Sequence, residues 1–163
     1  MEIEIRKALE SDLERITEIY NEALLNTAAH YYAEPKTLDD RRDWLLGHTS
    51  KYPVLVALIN NKVIGWASLN RWSVYHAFED SAESSLYVDT AYQGKGIGSK
   101  LMQHLIEETK KGDLKTIIAR ILDGNPASIK IHERAGFEHT GTLKKIGKKF
   151  GRYIDLHMMQ KML

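Results

Sequence analysis

The chain has 163 residues, carries 23 basic against 22 acidic side chains, and contains no cysteine. This length predicts one domain, residues 1–163, that buries about two thirds of the surface exposed by the unfolded chain. The balanced charge argues against a surface dedicated to nucleic acid or to a membrane, and the lack of cysteine excludes disulfides and thiolate metal sites. Because the first residues lack a signal-peptide core and no run is long enough to cross a bilayer, we expect a cytoplasmic protein.

The hydrophobic pattern predicts strands and helices in the order βααβββαβαββ. Strands are expected at residues 3–6, 54–59, 62–69, 82–88, 116–121, 137–143 and 153–159. Helices, with their caps, are expected from Ser11 to Leu24, Thr37 to Gly47, Ile97 to Lys111, and Asn125 to Gly136.

Short patterns mark the ends of several elements. Ser11 and Glu14 have capping-box spacing before the first helix, and Asn60-Asn61 is expected to join two strands in a hairpin. Asn125 is expected to cap a helix that has Pro126 in its first position. The basic run from Lys144 to Gly151 is expected to be a loop, which either attracts an acidic ligand or is simply solvated.

The central motif is the glycine-rich segment Gln93-Gly94-Lys95-Gly96-Ile97-Gly98-Ser99, between a strand end and an amphipathic helix. The first amides of a helix lack intrahelical acceptors, and the helix dipole adds partial positive charge there. Glycines let a phosphate approach the backbone closely, so this turn predicts an anion site. The spacing fits neither a P-loop nor a dinucleotide fingerprint, because Ser99 or Leu101 occupies the position where each motif needs its next glycine.

What fits is Gln93-x-x-Gly96-x-Gly98 after a strand, which resembles the pyrophosphate loop of the GNAT acetyltransferases. A second segment, from Asn125-Pro126 to Ala135-Gly136-Phe137, resembles another motif of that superfamily. The resemblance covers essentially the whole chain. It implies an α/β (or α+β) GNAT fold, in which a mixed, mostly antiparallel twisted sheet of about seven strands is flanked by about four helices. It also implies acetyl-CoA as cosubstrate. No metal is expected, because Gly136 follows His132-Glu133 where a His-Glu-x-x-His site would need its second histidine.

The resemblance implies a set of cofactor contacts. A backbone amide of the strand before the turn polarises the thioester carbonyl in such enzymes, the turn binds the pyrophosphate, and Asn125 contacts the pantetheine arm besides capping its helix. The residues carried over are Leu86, Tyr87, Val88, Gln93, Gly94, Lys95, Gly96, Ile97, Gly98, Ser99 and Asn125.

Ala82-Glu83-Ser84-Ser85 and Ile131-His132-Glu133-Arg134 resemble the phosphinothricin acetyltransferase branch in particular. That branch acetylates phosphinothricin, methionine sulfoximine and related amines, so the resemblance implies a small primary amine as acceptor and direct transfer in a ternary complex. It makes Glu83 the candidate general base, acting directly or through a water; the alternative is an exposed strand glutamate. His132 is the candidate acid for the leaving thiolate; the alternative is a histidine that only bonds a backbone carbonyl.

The substrate contacts are the least defined, and the candidates are Tyr31, Arg71 and Tyr75. In the branch an arginine that holds the substrate carboxylate usually stands where this chain has Tyr75, and a tyrosine cannot make that bidentate contact. The branch also implies a homodimer. The alternative to an enzyme is a non-catalytic acyl-CoA-binding regulatory module, although Glu83, His132 and Asn125 beside the cofactor turn favour the enzyme.

Overall fold

The computed structural model describes residues 2–26 and 34–163. Its strands are β1 (Glu4–Lys7), β2 (Val54–Ile59), β3 (Lys62–Arg71), β4 (Ser81–Val88), β5 (Thr116–Leu122), β6 (Glu138–Lys149) and β7 (Arg152–Met162). Its α-helices are α1 (Leu13–Asn26), α2 (Leu38–Leu46), α3 (Ile97–Thr109) and α4 (Pro126–Arg134). The expected order of elements is therefore confirmed. In the described part of the chain, no helix has both the length and the apolar character needed to cross a bilayer.

The seven strands form one sheet in the order β1-β2-β3-β4-β5-β7-β6. Neighbouring strands are antiparallel except β4 and β5, which run parallel. The β2–β3 hairpin turns through Asn60 and Asn61, whose φ angles of 50° and 62° are both left-handed. Asparagine tolerates this region, so the predicted turn is confirmed with its physical cause.

Apolar layers cover both faces of the sheet. On one face α1 packs Ile16, Ile19 and Leu24 against β2 and β3; on the other, α3 packs Leu101 and Leu105 against the same strands. Strands β2 and β3 are therefore buried on both sides, which explains their nearly continuous apolar sequences.

The parallel pair is short, and this creates the main cleft. Strand β4 pairs with β5 only from Ser81 to Glu83, opposite Thr116 to Ile118, whereas it pairs with β3 as far as Val88. Beyond Glu83 the two parallel strands separate. Backbone groups of residues 84–88 on that side therefore face an opening between β4 and β5 instead of a ladder partner among the described residues.

The basic segment from Lys144 to Gly151 is mostly strand, so the prediction of a loop there was wrong. Strand β6 continues to Lys149, with a bulge between Leu143 and Gly147 where Lys145 has a φ of 53° and donates its backbone N–H to Asp155. The strand lies at the edge of the sheet and leaves its lysines largely in solvent, so the apolar alternation that identifies a strand is missing.

The start of α1 and the end of α3 also differ from expectation. A 3₁₀ turn, Glu10–Asp12, precedes α1, and the Asp12 carboxylate accepts the backbone N–H of Leu9 at 2.8 Å while pairing with Arg6. Asp12, the third residue of that turn, therefore takes the role that was predicted for Glu14, and the cap lies at Leu9 instead of Ser11. Helix α3 ends at Thr109, two residues before the predicted Lys111.

Candidate active site

The glycine turn adopts the backbone that its sequence predicts. Gly94 and Gly96 have φ angles of 74° and 80°, a left-handed region in which a side chain is strained. Gly96 is the N-cap of α3, and the first amide bonded back within the helix is that of Lys100, which donates to the Gly96 carbonyl. The amides of residues 97–99 precede that bond, so they have no acceptor of the regular helical kind.

This turn borders a pocket of about 420 Å³, here named the glycine-turn pocket, between the ends of α1, β4, α3 and α4. Ten of the eleven predicted cofactor residues line it: residues 86–88, 93–94, 96–99 and 125. The exception is Lys95, whose ammonium donates to the Ala91 carbonyl and lies 5.0 Å from the centre of the Tyr92 ring.

Helix α4 forms the opposite wall. Asn125 caps it by accepting the Ser128 N–H at 3.2 Å, as predicted, and Lys130 and Arg134 add positive charge to the pocket. Gly98 allows α3 to approach α4, because a Cβ at that position would lie 2.8 Å from Cδ1 of Ile131. Neither cation is among the residues predicted from the sequence, although a spacing of four residues places both on the same side of one helix.

A smaller cavity of about 60 Å³, the splay cavity, lies where β4 and β5 separate. It shares Leu86, Tyr87, Asn125 and Ser128 with the glycine-turn pocket. Glu83 and His132, the two predicted catalytic residues, both line it. The tertiary structure thus brings together residues 49 positions apart in sequence, since the numbering runs from 83 to 132.

Glu83 makes a bidentate ion pair that the sequence analysis missed. Its Oε1 and Oε2 accept from Nε and Nη2 of Arg120, each at 2.6 Å, and the Glu83 side chain is 14% exposed. Glu83 is therefore a sheltered carboxylate at the edge of a cavity and differs from the exposed strand glutamate that was the alternative. A single charge in the apolar sequence of β5, Thr-Ile-Ile-Ala-Arg-Ile-Leu, could have drawn attention to Arg120.

His132 lies near the end of α4, is buried, and contacts both its own helix and β4. Its Nδ1 lies 2.8 Å from the Ser128 carbonyl, and its Nε2 lies 3.3 Å from the Ser84 hydroxyl. A Schellman motif ends the helix, in which Phe137 N–H donates to the His132 carbonyl and Gly136, with a φ of 86°, donates to that of Glu133. The same turn packs the Phe137 ring edge-on against the imidazole at 4.8 Å.

These contacts define the protonation of His132. Burial lowers the pKa of His132, and the bond to the Ser128 carbonyl opposes this effect only in part. The neutral ring must place its one proton on Nδ1 to donate to Ser128, which leaves Nε2 as the acceptor for Ser84. This geometry matches the interpretation in which His132 bonds a backbone carbonyl; delivery of a proton to a thiolate stays a prediction.

A third pocket, of about 400 Å³, lies on the α1 and α2 side of the sheet and is named the Arg41 pocket. Its floor consists of three cross-strand pairs from β3 and β4: Trp66 with Tyr87, Ser68 with Ser85, and Asn70 with Glu83. Side chains from α1, α2 and β5 form its walls, namely Tyr20, Asp40, Arg41, Asp43, Trp44 and Arg120. Because Glu83, Ser85, Tyr87 and Arg120 also line the splay cavity, the three pockets meet along β4.

Arg41 is an uncommon component of this pocket. It is only 5% exposed, and its guanidinium carbon lies 3.8 Å from the Tyr20 ring centre, 4.9 Å from Trp44 and 5.5 Å from Trp66. Burial lowers its pKa, an effect that the nearby Tyr20 and Tyr87 hydroxyl groups partly oppose. Its Nε and Nη2, and the indole Nε1 of Trp66, are buried without a hydrogen-bond partner.

Two of the three predicted substrate residues, Arg71 and Tyr75, lie away from this pocket. Tyr75 is 70% exposed beside a short turn after β3, and Arg71 donates to the Val74 carbonyl in the same loop. Within the described part of the chain, neither lines any of the three pockets. Tyr31 lies outside the described residues. Among residues 2–26 and 34–163, no group of three or more acidic or histidine side chains could hold a metal ion.

Comparison with known proteins agrees with this geometry. A family model described as "Acetyltransferase (GNAT) family" matches residues 13–137. Over 161 residues the chain is 42% identical to an L-methionine sulfoximine/L-methionine sulfone acetyltransferase of Salmonella typhimurium, covering 96% of this chain and 92% of the relative. It is 34% identical over 159 residues to a phosphinothricin N-acetyltransferase of Streptomyces coelicolor, with 95% and 93% covered.

Solved structures show the same similarity. An acetyltransferase of Salmonella typhimurium, yncA, solved with its cofactor acetyl-CoA, superposes with a TM-score of 0.96 at 40% identity, covering 99% of this chain and 94% of that one. A phosphinothricin acetyltransferase of Sinorhizobium meliloti in complex with acetyl-CoA superposes with a TM-score of 0.93 at 35% identity, covering 100% and 89%.

Proposed function

This chain belongs to the acetyltransferase (GNAT) family and is an acetyl-CoA-dependent N-acetyltransferase, and on that premise we propose that its acceptor is the α-amino group of a small amino-acid-like molecule. Relatives named for methionine sulfoximine, methionine sulfone and phosphinothricin support that class. The observation that carries the proposal is the junction along β4, where a cofactor-sized pocket meets a second pocket through a cavity bordered by Glu83.

In the proposed complex, acetyl-CoA occupies the glycine-turn pocket. The amides at the start of α3, together with Lys130 and Arg134, receive the pyrophosphate, because helix N-termini and cations both favour phosphate. Asn125 lines both this pocket and the splay cavity, which suits contact with the pantetheine arm. Open backbone groups of residues 86–88 would then polarise the thioester carbonyl, whose oxygen gains negative charge in the transition state.

The proposed reaction is direct transfer. Glu83 accepts the ammonium proton, directly or through a water, and the free amine attacks the thioester carbon. As the C–S bond breaks, the nitrogen loses its second proton and coenzyme A leaves as a thiolate; that proton balances the thiolate charge, so the products are the N-acetyl amide and coenzyme A. We give His132 a positioning role, since its single proton is directed at the Ser128 carbonyl and its Nε2 accepts from Ser84. It would hold β4 against α4 beside the reacting atoms.

We further propose that the chain is one catalytic domain that acts in the cytoplasm as a homodimer. The exposed apolar side chains of the β6–β7 hairpin, Ile146, Phe150 and Tyr153, offer a surface that a second copy could cover. Light scattering at working concentration should give twice the chain mass; a monomer mass would contradict the dimer.

Release of free coenzyme A tests the acceptor. The panel is L-methionine sulfone, L-methionine sulfoximine, phosphinothricin, and a simple alkyl amine without a carboxylate. We expect release with the amino-acid-like members and little with the alkyl amine. A chain that binds acetyl-CoA but releases none with any amine would be the non-catalytic binding module.

A further inference from the structure

The charge of Arg41 has no direct ion-pair partner among the described residues, and its sequence neighbour Asp40 acts on it only through space. Arg41 takes part in no ion pair among residues 2–26 and 34–163, and residues 27–33, Thr-Ala-Ala-His-Tyr-Tyr-Ala, contain no acidic side chain that could supply one. Buried charges are ordinarily paired, because removing them from water is expensive. The rings of Tyr20, Trp44 and Trp66 offset part of this cost through cation–π contact.

The unpaired hydrogen-bonding groups at Arg41 and Trp66 also favour a negatively charged ligand. The three buried groups without a partner, two on Arg41 and one on Trp66, are all donors, and both residues line the same pocket. A planar guanidinium with an adjacent indole N–H matches an acceptor that has two oxygens and a negative charge. A carboxylate has that shape and charge.

The position of Arg41 relative to the reaction centre suits an amino acid. Trp66, which Arg41 contacts, is paired with Tyr87, at the end of the pocket floor next to residues 86–88. Glu83 lies on the same face of β4 as Tyr87 and also lines the Arg41 pocket. The α-amino and α-carboxylate groups of an amino acid are separated by a single carbon, so a carboxylate at Arg41 leaves the amine near the thioester.

We infer that Arg41, with the indole N–H of Trp66, is the carboxylate-binding element of the acceptor pocket. This inference rests on the proposed function for its choice of ligand. The guanidinium is pre-oriented by the aromatic rings, so little side-chain entropy is lost when the carboxylate arrives. Selectivity for amino acids over simple amines then follows from the ion pair that a bound carboxylate forms with Arg41.

Equilibrium binding separates this role from a structural one. The probes are L-methionine sulfone and its primary carboxamide, which differ only in the negative charge, and the readout is tryptophan fluorescence, since Trp44 and Trp66 adjoin Arg41. The wild-type protein should bind the acid at least about tenfold more tightly than the amide. Arg41→Met should raise the Kd of the acid to that of the amide and leave the Kd of the amide within about twofold.

Arg42 provides a matched control. It is the next residue on α2, its side chain is 48% exposed, and it pairs with Asp39 and Glu10 away from the pocket. Arg42→Met should retain the preference for the acid. Equal weakening of both probes by Arg41→Met, or a wild-type protein without preference, would overturn the inference by making Arg41 purely structural.

Two milder variants keep the test decisive if Arg41→Met does not fold. Arg41→Lys keeps the charge but loses the bidentate fork, and Trp66→Phe removes only the indole donor. Each should reduce the preference for the acid severalfold, and full preference in both would overturn the inference. Because binding requires no turnover, a preference for the acid without acetyl transfer would support the Arg41 site while contradicting the proposed substrate.

Discussion

The glycine-turn pocket and the Arg41 pocket are nearly equal in volume, about 420 and 400 Å³, yet they are built in different ways. About half of the residues lining the first belong to one continuous segment, residues 86–99, and its main features are glycine backbone and helix-end amides. The second is made of side chains from α1, α2, β3, β4 and β5. A site made of backbone leaves a pattern in the local sequence, whereas a site assembled from distant side chains leaves almost none.

The difference in construction has a functional counterpart. All GNAT enzymes that use acetyl-CoA face the same pyrophosphate, and a backbone cradle suits a constant ligand. An acceptor pocket made of side chains can change one residue without disturbing the fold. The carboxylate contact inferred for Arg41 is made by a side chain of that kind.

The largest expected effect comes from removing the proposed base, Glu83, which should impair the reaction without impairing the glycine-turn pocket. Glu83→Gln should lower kcat by roughly a hundredfold or more and leave the Kd of acetyl-CoA unchanged. The deficit should shrink as the pH approaches the pKa of the substrate amine, because more substrate then arrives without its proton. Steady-state kinetics across pH measure this. Glu133→Gln, an exposed glutamate on α4, is the matched control, and a variant equally slow at every pH would identify Glu83 as a positioning residue.

The complementary change disables the glycine-turn pocket alone. Ser99 is the third residue of α3, where an acidic side chain stabilises the helix dipole but repels a phosphate. Ser99→Glu should weaken acetyl-CoA binding by about a hundredfold without lowering Tm. Ser99→Gln, of equal size and no charge, should bind far better. Equal affinities for the two variants by calorimetry would move the pyrophosphate away from this turn.

A smaller effect is expected from crowding the contact between α3 and α4 at Gly98. Gly98→Ala places a methyl group 2.8 Å from Cδ1 of Ile131, so one wall of the glycine-turn pocket must move. The expected result is a loss of acetyl-CoA affinity of about threefold to tenfold, with overpacking of about 1 kcal/mol offset by the better helix propensity of alanine. Ile131→Val removes the crowded methyl and should restore affinity in the double variant. Additive losses in that cycle would contradict the steric explanation.

The smallest expected effect concerns His132, which belongs to the wall shared by the pockets. In the folded protein the pKa of His132 is lowered. Near pH 6.5, His132 of the unfolded chain therefore binds a proton that His132 of the folded chain does not bind. This part of the stability is present above about pH 6.5 and is lost as pH falls through the folded pKa. Denaturant unfolding at pH 7.5 and 5.5 should therefore show a smaller difference for His132→Gln than for wild type.

The same variant tests the positioning role of His132. At neutral pH, kcat of His132→Gln should fall by less than about tenfold, because the neutral ring has no free proton at Nε2 to lose. A much larger fall, with a shifted pH profile, would restore the general-acid role.

Most of the fold was predictable because its elements carry local signatures. The apolar runs of β2 and β3, the Asn60-Asn61 turn and the Asn125 cap each reflect backbone geometry that a few neighbouring residues decide. Strand β6 was missed beyond Leu143 because an edge strand with lysines on both sides lacks the alternation that burial imposes. The Ser11 cap was wrong because the helical turn begins earlier, at Leu9, where the Asp12 carboxylate accepts the Leu9 amide and also pairs with Arg6.

The sequence by itself determined the cofactor turn, because positive φ angles demand glycine and a helix must begin directly after it. Only the tertiary structure decided what surrounds the acceptor. Arg41 and Arg42 are indistinguishable as neighbours in sequence, yet one is enclosed by three aromatic rings and the other lies in solvent. Arg120 likewise reaches Glu83 only because β5 pairs with β4 for three residues and then diverges. This contact joins two strands that are distant in sequence, and no local pattern encodes it.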